Sequence, residues 1–291
     1  MEEIMEERNE KEYLQAYEKS LSLWPISYST YYVNTSYGQT HVIESGVQDG
    51  PPLVLLHGAS MSSTMWYPNV HIWGKKYRIY AIDIMGDKNK SIVEKEFTSR
   101  RAYADWLMEV LDALDVQKAD IVGLSFGALN AMNFILHEPN RVKRAVLISP
   151  AETFVSFDPL FYQYAFGMVQ NKEGVQQFLN WIFKERYQLH PFIHNQLEAA
   201  FMWVNPNRSS KPTQSGFPYV CTDEELLSIQ TPILLLLGEN EVMYNPIEAM
   251  ERAKSFIPNI DVEIVEGAGH LLSMEKPDSI NERVLNYFQE K

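Results

Sequence analysis

The apolar residues of this chain follow two rhythms. Continuous runs such as Leu53-Val54-Leu55-Leu56 and Ile233-Leu234-Leu235-Leu236-Leu237 read as strands covered on both faces. Stretches with apolar positions three and four apart read as helices with one buried face. Residues 1–23 are of the second kind, with Leu14, Tyr17 and Leu21 beside an acidic face and Pro25 ending the pattern. This helix is expected on the outside of the domain. Residues 30–34 and 39–44 read as a hairpin across Ser36-Tyr37-Gly38. Strands are expected at 53–56, 77–82 and 142–149, and a helix at 99–114 with Tyr103, Trp106, Leu107, Val110, Leu111 and Leu114 on one face.

The rhythm stops at Pro150. Residues 152–220 hold no strand pattern, but helical segments at 159–169, 173–186 and 195–204, closed by a polar loop at 205–212. Fifteen aromatic residues fall in this stretch, among them Phe154, Phe161, Trp181, Phe201 and Trp203. An insertion of this kind cannot continue a sheet, so it is expected to lie over it as a lid. Strands return at 232–237 and 261–265, with a helix at 246–256 between them. Residues 272–288 carry a loop at Lys276-Pro277-Asp278 before a terminal helix. Strands alternating with helices predict an α/β fold, a mostly parallel central sheet flanked by helices with right-handed crossovers. The expected division is a core of residues 1–150 and 221–291, the first 23 residues being a helical extension, and a lid of residues 151–220.

Composition narrows the classes of function. The 291 residues are 45% hydrophobic and 22% charged, as in an ordinary globular protein, and long enough to bury a large core. Acidic residues outnumber basic ones 38 to 25, a formal charge of −13. Such a surface repels phosphate backbones and anionic lipid, so neither nucleic acid nor membrane is an expected partner. Cys221 is the only cysteine, which excludes an intramolecular disulfide and a thiolate metal cluster. The start is acidic where a signal peptide is basic and then apolar, and no run reaches the length of a membrane span. A cytoplasmic protein is expected, as a monomer or homodimer, and the sequons at Asn34 and Asn207 are then without consequence.

Candidate chemistry centres on Asp120-Ile121-Val122-Gly123-Leu124-Ser125-Phe126-Gly127-Ala128. A buried strand runs into G-x-S-x-G and out into a small-residue helix. That is the context a nucleophile elbow needs: a strand-to-helix reversal tight enough to hold the serine in a strained conformation, its hydroxyl above the sheet. Gly123 and Gly127 remove side chains where strand and helix meet. The amide of Phe126, at the helix start, points to where an oxyanion would form.

A serine needs a histidine base, and the base needs a carboxylate to fix its tautomer. Both should follow later strands, at the same carboxyl edge of the sheet. Gly267-Ala268-Gly269-His270 follows the last strand; of seven histidines only His57 competes on position. For the acid, Glu239 and Glu241 both follow the strand at 232–237, and Glu152 follows the strand before it.

These residues resemble the α/β-hydrolase fold family. His57-Gly58, Gly123-Leu124-Ser125-Phe126-Gly127, Gly238-x-x-Glu241 and Gly269-His270 occur in its order, over residues 28–288. The family's usual acid is an aspartate three residues after the strand-end glycine. The resemblance therefore implies Glu241, a departure in residue type shared with certain carboxylesterases. It also implies that the amide of Ala59 pairs with that of Phe126 as oxyanion donors. A second departure lies at residues 83–91, where the family's second glycine is absent and its serine comes one residue late, at Ser91.

The resemblance implies a carboxylesterase-type serine hydrolase of small, largely apolar esters, with Ser125, His270 and Glu241 as triad. The elbow serine argues against dehalogenase and epoxide hydrolase chemistry. Two alternatives remain: a hydrolase of carbon–carbon or other acyl bonds, and a ligand-binding signalling protein that keeps the triad. His190-Pro191-Phe192-Ile193-His194 has metal-like spacing but no acidic ligand between the histidines, and is read as lid structure. No Walker sequence or dinucleotide fingerprint occurs, so neither metal nor cofactor is expected.

Overall fold

Tyr13, Tyr17, Ser20 and Leu21 recur at intervals of four, three and one residues, and in α1 (Glu2–Leu21) they form the buried face. Leu14, one of the expected inner positions, is only partly buried, and Tyr13 takes its place. Both phenols reach inward: Tyr13 donates to the Lys88 carbonyl at 2.5 Å and Tyr17 to Asp83 at 2.9 Å. The computed structural model describes residues 2–169, 171–203 and 218–289; the expected loop at 205–212 and the Asn207 sequon lie outside them.

The hairpin is β1 (Tyr28–Thr35) and β2 (Gly38–Gly46), with Thr35 opposite Gly38. Then come β3 (Pro52–Leu56), a 3-10 turn over Ser63–Trp66, α2 (Val70–Trp73), β4 (Arg78–Ile82) and the short β5 (Ile92–Val93). Ser99 caps α3 (Arg100–Ala113), accepting from the Ala102 amide, and Trp106 on its inner face donates to Thr40 at 2.8 Å. After β6 (Ala119–Leu124) follow α4 (Phe126–His137) and β7 (Val142–Ile148).

Between β7 and the next strand the chain leaves the sheet. It forms α5 (Pro159–Tyr162), which runs into a π turn over Gln163–Met168, then α6 (Lys172–Phe183), α7 (Pro191–Met202) and α8 (Asp223–Ser228). Between residues 151 and 220 the one β pairing among the described residues is an isolated bridge, Thr153 to Val220. Helix α7 begins at Pro191 rather than at residue 195: proline sits at the first helical turn, where a missing N–H is harmless, and the His190 ring accepts from the Phe192 amide at 3.2 Å. Helix α8 was not expected, although Thr222 and Glu225 form a full capping box.

The sheet resumes with β8 (Ile233–Gly238), α9 (Pro246–Phe256) and β9 (Ile260–Val265), and the chain ends in α10 (Leu272–Glu275) and α11 (Pro277–Gln289). Pro277 again opens a helix instead of lying in a loop. The strand order is β1-β2-β4-β3-β6-β7-β8-β9, with β5 beside β2. Pairing is antiparallel at β1–β2, β2–β4 and β2–β5, and parallel from β4 to β9. Every residue of β6 and β8 is buried, whereas the edge strand β9 alternates. The parallel strands bring their carboxyl ends, and the loops that follow β3, β6, β8 and β9, to one edge. Among the described residues no helix is long and apolar enough to cross a membrane.

Candidate active site

The turn from β6 into α4 is as tight as the glycine spacing predicts. Ser125 has φ 53° and ψ −114°, a left-handed conformation that costs a non-glycine residue on the order of 1–3 kcal/mol. Its backbone is held on both sides: its amide donates to Ile148 at 2.9 Å, and its carbonyl accepts from Leu129 at 3.0 Å and Ala151 at 3.1 Å. A Cβ on Gly127 would run into the Leu56 carbonyl, and one on Gly123 would lie 2.5 Å from the Gly127 carbonyl oxygen. Either side chain would force the helix off the sheet. Ser125 is left 8% exposed at the strand end.

His270, buried, follows β9. Its Nδ1 lies 2.7 Å from Glu241 Oε2, and the other carboxylate oxygen, Oε1, accepts from the amides of Val242 and Met243, both at 2.9 Å. A carboxylate only accepts, so the proton of the neutral ring sits on Nδ1 and Nε2 carries a lone pair. Nε2 is buried and has no hydrogen-bond partner among the described residues. Catalytic hydrogen bonds are often unmade in a free enzyme and tighten when substrate binds, so a bare nitrogen is compatible with a candidate base.

The rival acids and the rival base have other partners. Glu239 Oε2 accepts from the Gly267 amide at 2.9 Å, and Glu152 Oε1 from the Tyr162 hydroxyl at 2.8 Å. His57 is fully buried; its Nε2 accepts from the Ile84 amide at 2.9 Å, so its Nδ1 bears the proton and donates to the Gly58 carbonyl at 2.9 Å. Both ring nitrogens are thus used by backbone. His194 faces Gln176 at 3.2 Å, and among the described residues no three His, Cys, Asp or Glu side chains are grouped to hold a metal ion. Burial pushes the Cys221 thiol up to about 12, so it offers no thiolate.

Ala59 is exposed between the buried Gly58 and Ser60, on the loop after β3. Two acidic residues that sequence reasoning passed over hold this loop. Asp87 Oδ2 accepts from the Ser60 amide at 2.7 Å, and Asp83 Oδ1 from the Ser63 amide at 2.9 Å. Burial alone would raise the Asp83 carboxyl. Bonds from His41 at 3.0 Å, from Tyr17 and from the Ser63 amide outweigh it and hold the group well below the usual carboxylate range. The loop at 83–91 closes without the family's second glycine because Asn89 bonds both ways: it donates to the Ile84 carbonyl at 2.7 Å and accepts from the Ser91 amide at 2.8 Å.

Glu275 was also missed. Its Oε2 accepts from the Gly269 amide at 2.9 Å and its Oε1 from the Leu271 amide at 3.2 Å, so one carboxylate takes the amides on both sides of His270. Arg186, between α6 and α7, approaches it at 3.6 Å. Burial raises the Glu275 carboxyl against the pull of these donors. Beside the elbow, Phe126 and Phe157 pack with Leu129 and Ala151 into an apolar wall. Trp203, one of the aromatic residues of the insertion, stacks on Tyr13 of α1 at 5.0 Å, with the Lys88 ammonium 5.1 Å from its ring centre.

The sequence profile of the "Alpha/beta hydrolase family" matches residues 53–283. The chain is 53% identical over 276 residues to a Bacillus subtilis (strain 168) protein described as "Uncharacterized carboxylesterase nap", covering 95% of this chain and 92% of that one. It superposes on the crystal structure of naproxen esterase (carboxylesterase NP) from Bacillus subtilis with a TM-score of 0.93 at 52% identity, over 97% of this chain and 98% of the other. A more distant relative, 2-hydroxymuconate semialdehyde hydrolase of Pseudomonas sp. (strain CF600), is 32% identical over 227 residues, 68% of this chain and 78% of its own. With the sheet order above, these likenesses show that the chain belongs to the α/β-hydrolase family and is a carboxylesterase-like enzyme within it.

Proposed function

We propose that the enzyme hydrolyses carboxylic esters of small, largely apolar substrates through an acyl-enzyme on Ser125. The observation that carries this reading is the 2.7 Å contact of His270 Nδ1 with Glu241 Oε2, which leaves Nε2 bare at the sheet edge where the elbow serine stands. Nε2 takes the Ser125 proton as Oγ bonds to the acyl carbon. The carbonyl π electrons move to oxygen, and the amides of Phe126 and Ala59 stabilise the charge that forms there. A single such donor is worth about a hundredfold or more in rate. The imidazolium, steadied by Glu241, then gives its proton to the leaving alcohol. Water repeats both steps on the acyl-enzyme, with the same nitrogen as base, and frees the acid.

The substrate class rests on the wall of Phe126 and Phe157 and on the aromatic helical insertion, which acts as a lid over the site. Unpaired donors there would penalise apolar ligands, whereas rings favour them. The name of the naproxen esterase brings bulky aryl acids into that class. The relative that acts on 2-hydroxymuconate semialdehyde favours a second reading, carbon–carbon bond hydrolysis by the same triad.

A panel of chromogenic esters of graded acyl length and aryl bulk, with charged esters, an amide, a lactone and 2-hydroxymuconate semialdehyde, separates these readings. Multiple turnovers on short to medium apolar or aryl esters, with little on charged esters and amides, are expected. Preferred turnover of the semialdehyde would move the function to carbon–carbon hydrolysis, and single turnover on every compound would make the protein a binding module.

A further inference from the structure

Gln196 is the polar member of an otherwise apolar helix face. On α7 the buried positions are Ile193, Gln196, Leu197 and Ala200, and Gln196 is 1% exposed. A buried primary amide must find partners for two donors and an acceptor. Its Nε2 donates to Ser62 Oγ at 2.7 Å and to the Tyr13 hydroxyl at 3.3 Å, and its Oε1 accepts from Thr64 Oγ1 at 2.8 Å. Ser62 and Thr64 are themselves fully buried, with their hydroxyl oxygens 3.0 Å apart. One amide from the insertion therefore bridges two hydroxyls of the loop that carries Ala59.

That loop has reason to need the tie. Ser60 and Ser62 have φ values of 63° and 59°, a conformation that side-chain-bearing residues keep only where their surroundings impose it. Asp87 and Asp83 hold the Ser60 and Ser63 amides from the sheet side. Gln196 holds the residue between them from the side of the insertion, and through Tyr13 it also engages the N-terminal helix. An oxyanion donor works only where its N–H meets the position the charged oxygen will take, so a small rotation at Ser60 or Ser62 would misplace the Ala59 amide.

We infer that Gln196 is a positioning residue for the oxyanion donor of Ala59, through its paired hydrogen bonds to Ser62 and Thr64. The insertion thereby bears on the chemical step itself. The inference rests on the proposed ester hydrolysis at Ser125, and its test separates the two.

The experiment compares kcat/KM for an oxygen ester and for its thionoester, whose sulfur accepts hydrogen bonds weakly and so reports little of the oxyanion donors. Gln196→Met removes the amide at similar length, and Thr64→Val removes one hydroxyl from the same bridge with little change of shape. Both variants are expected to lose about tenfold or more on the oxygen ester, through kcat with KM nearly constant, and less than about threefold on the thionoester. The double variant should lose no more than the worse single one. Equal losses on both esters, or no loss in a folded variant, would overturn the inference. Ser125→Ala is the separate arm: an inactive Ser125→Ala beside an unchanged ester ratio in Gln196→Met sinks this inference alone. Persistent turnover in Ser125→Ala sinks the reading of the site on which it rests.

Discussion

Glu239 and Glu241, two residues apart after β8, grip the same loop at different points: Glu239 takes the Gly267 amide at 2.9 Å and Glu241 the ring of His270 at 2.7 Å. The first bond shapes the loop; the second sets the tautomer of the proposed base. Glu241→Gln should therefore lower kcat by about a thousandfold or more, because a carboxamide can donate to Nδ1 and stabilise the wrong tautomer. Glu239→Gln should change kcat by less than about tenfold. Steady-state kinetics on one chromogenic ester decide it, and a larger loss at Glu239 would remove Glu241 from the acid's role.

The same geometry predicts the pH profile. His270 must be neutral at Nε2 to accept the Ser125 proton, so kcat/KM should rise about tenfold per pH unit on its acid limb and then level off. One ionisation should describe the limb. A flat profile between pH 5 and 8 would contradict a histidine base.

Asp120, in the buried run of β6, bears on stability rather than chemistry. Its Oδ1 has no hydrogen-bond partner among the described residues, and burial raises its carboxyl from 3.8 to about 6, against the pull of Lys143 and Arg144. The folded state thus keeps this proton up to about pH 6, whereas the unfolded chain releases it near 3.8. The group's contribution to stability is fully present below 3.8 and is lost as pH rises through about 6. Asp120→Asn removes that loss, worth at most about 3 kcal/mol. Its Tm should exceed that of the parent clearly at pH 8 and hardly at pH 4; an equal gain at both, or a lower Tm at pH 8, would contradict the assignment.

Much of this arrangement is legible in the sequence because it is local. Strand β8 is a continuous apolar run and β6 is one but for Asp120, α9 spans the predicted 246–256, and the elbow is a contiguous motif whose glycines have one use. What escaped notice depends on contacts between distant segments, or on prolines read as breaks. Pro191 and Pro277 open helices, and Trp203 packs on Tyr13, which is 190 residues earlier in the chain. Asp83, Asp87 and Glu275 look like ordinary surface acids until the loops they hold are folded around them. Gln196 did leave a signal: positions 193, 196, 197 and 200 have the spacing of a buried face, and a glutamine among three apolar residues there asks for a partner.

Ester hydrolysis through this site requires that Ser125 becomes acylated. The direct test is turnover of a chromogenic ester by Ser125→Ala, followed by the mass, intact and after digestion, of the parent enzyme quenched during turnover of a slow ester. Ser125→Ala should lose at least about a thousandfold in kcat with an unchanged melting curve, and the parent enzyme should carry one added acyl mass on the peptide containing Ser125. A folded Ser125→Ala enzyme that keeps more than a few per cent of the activity, or an acyl group found on another residue, would contradict it.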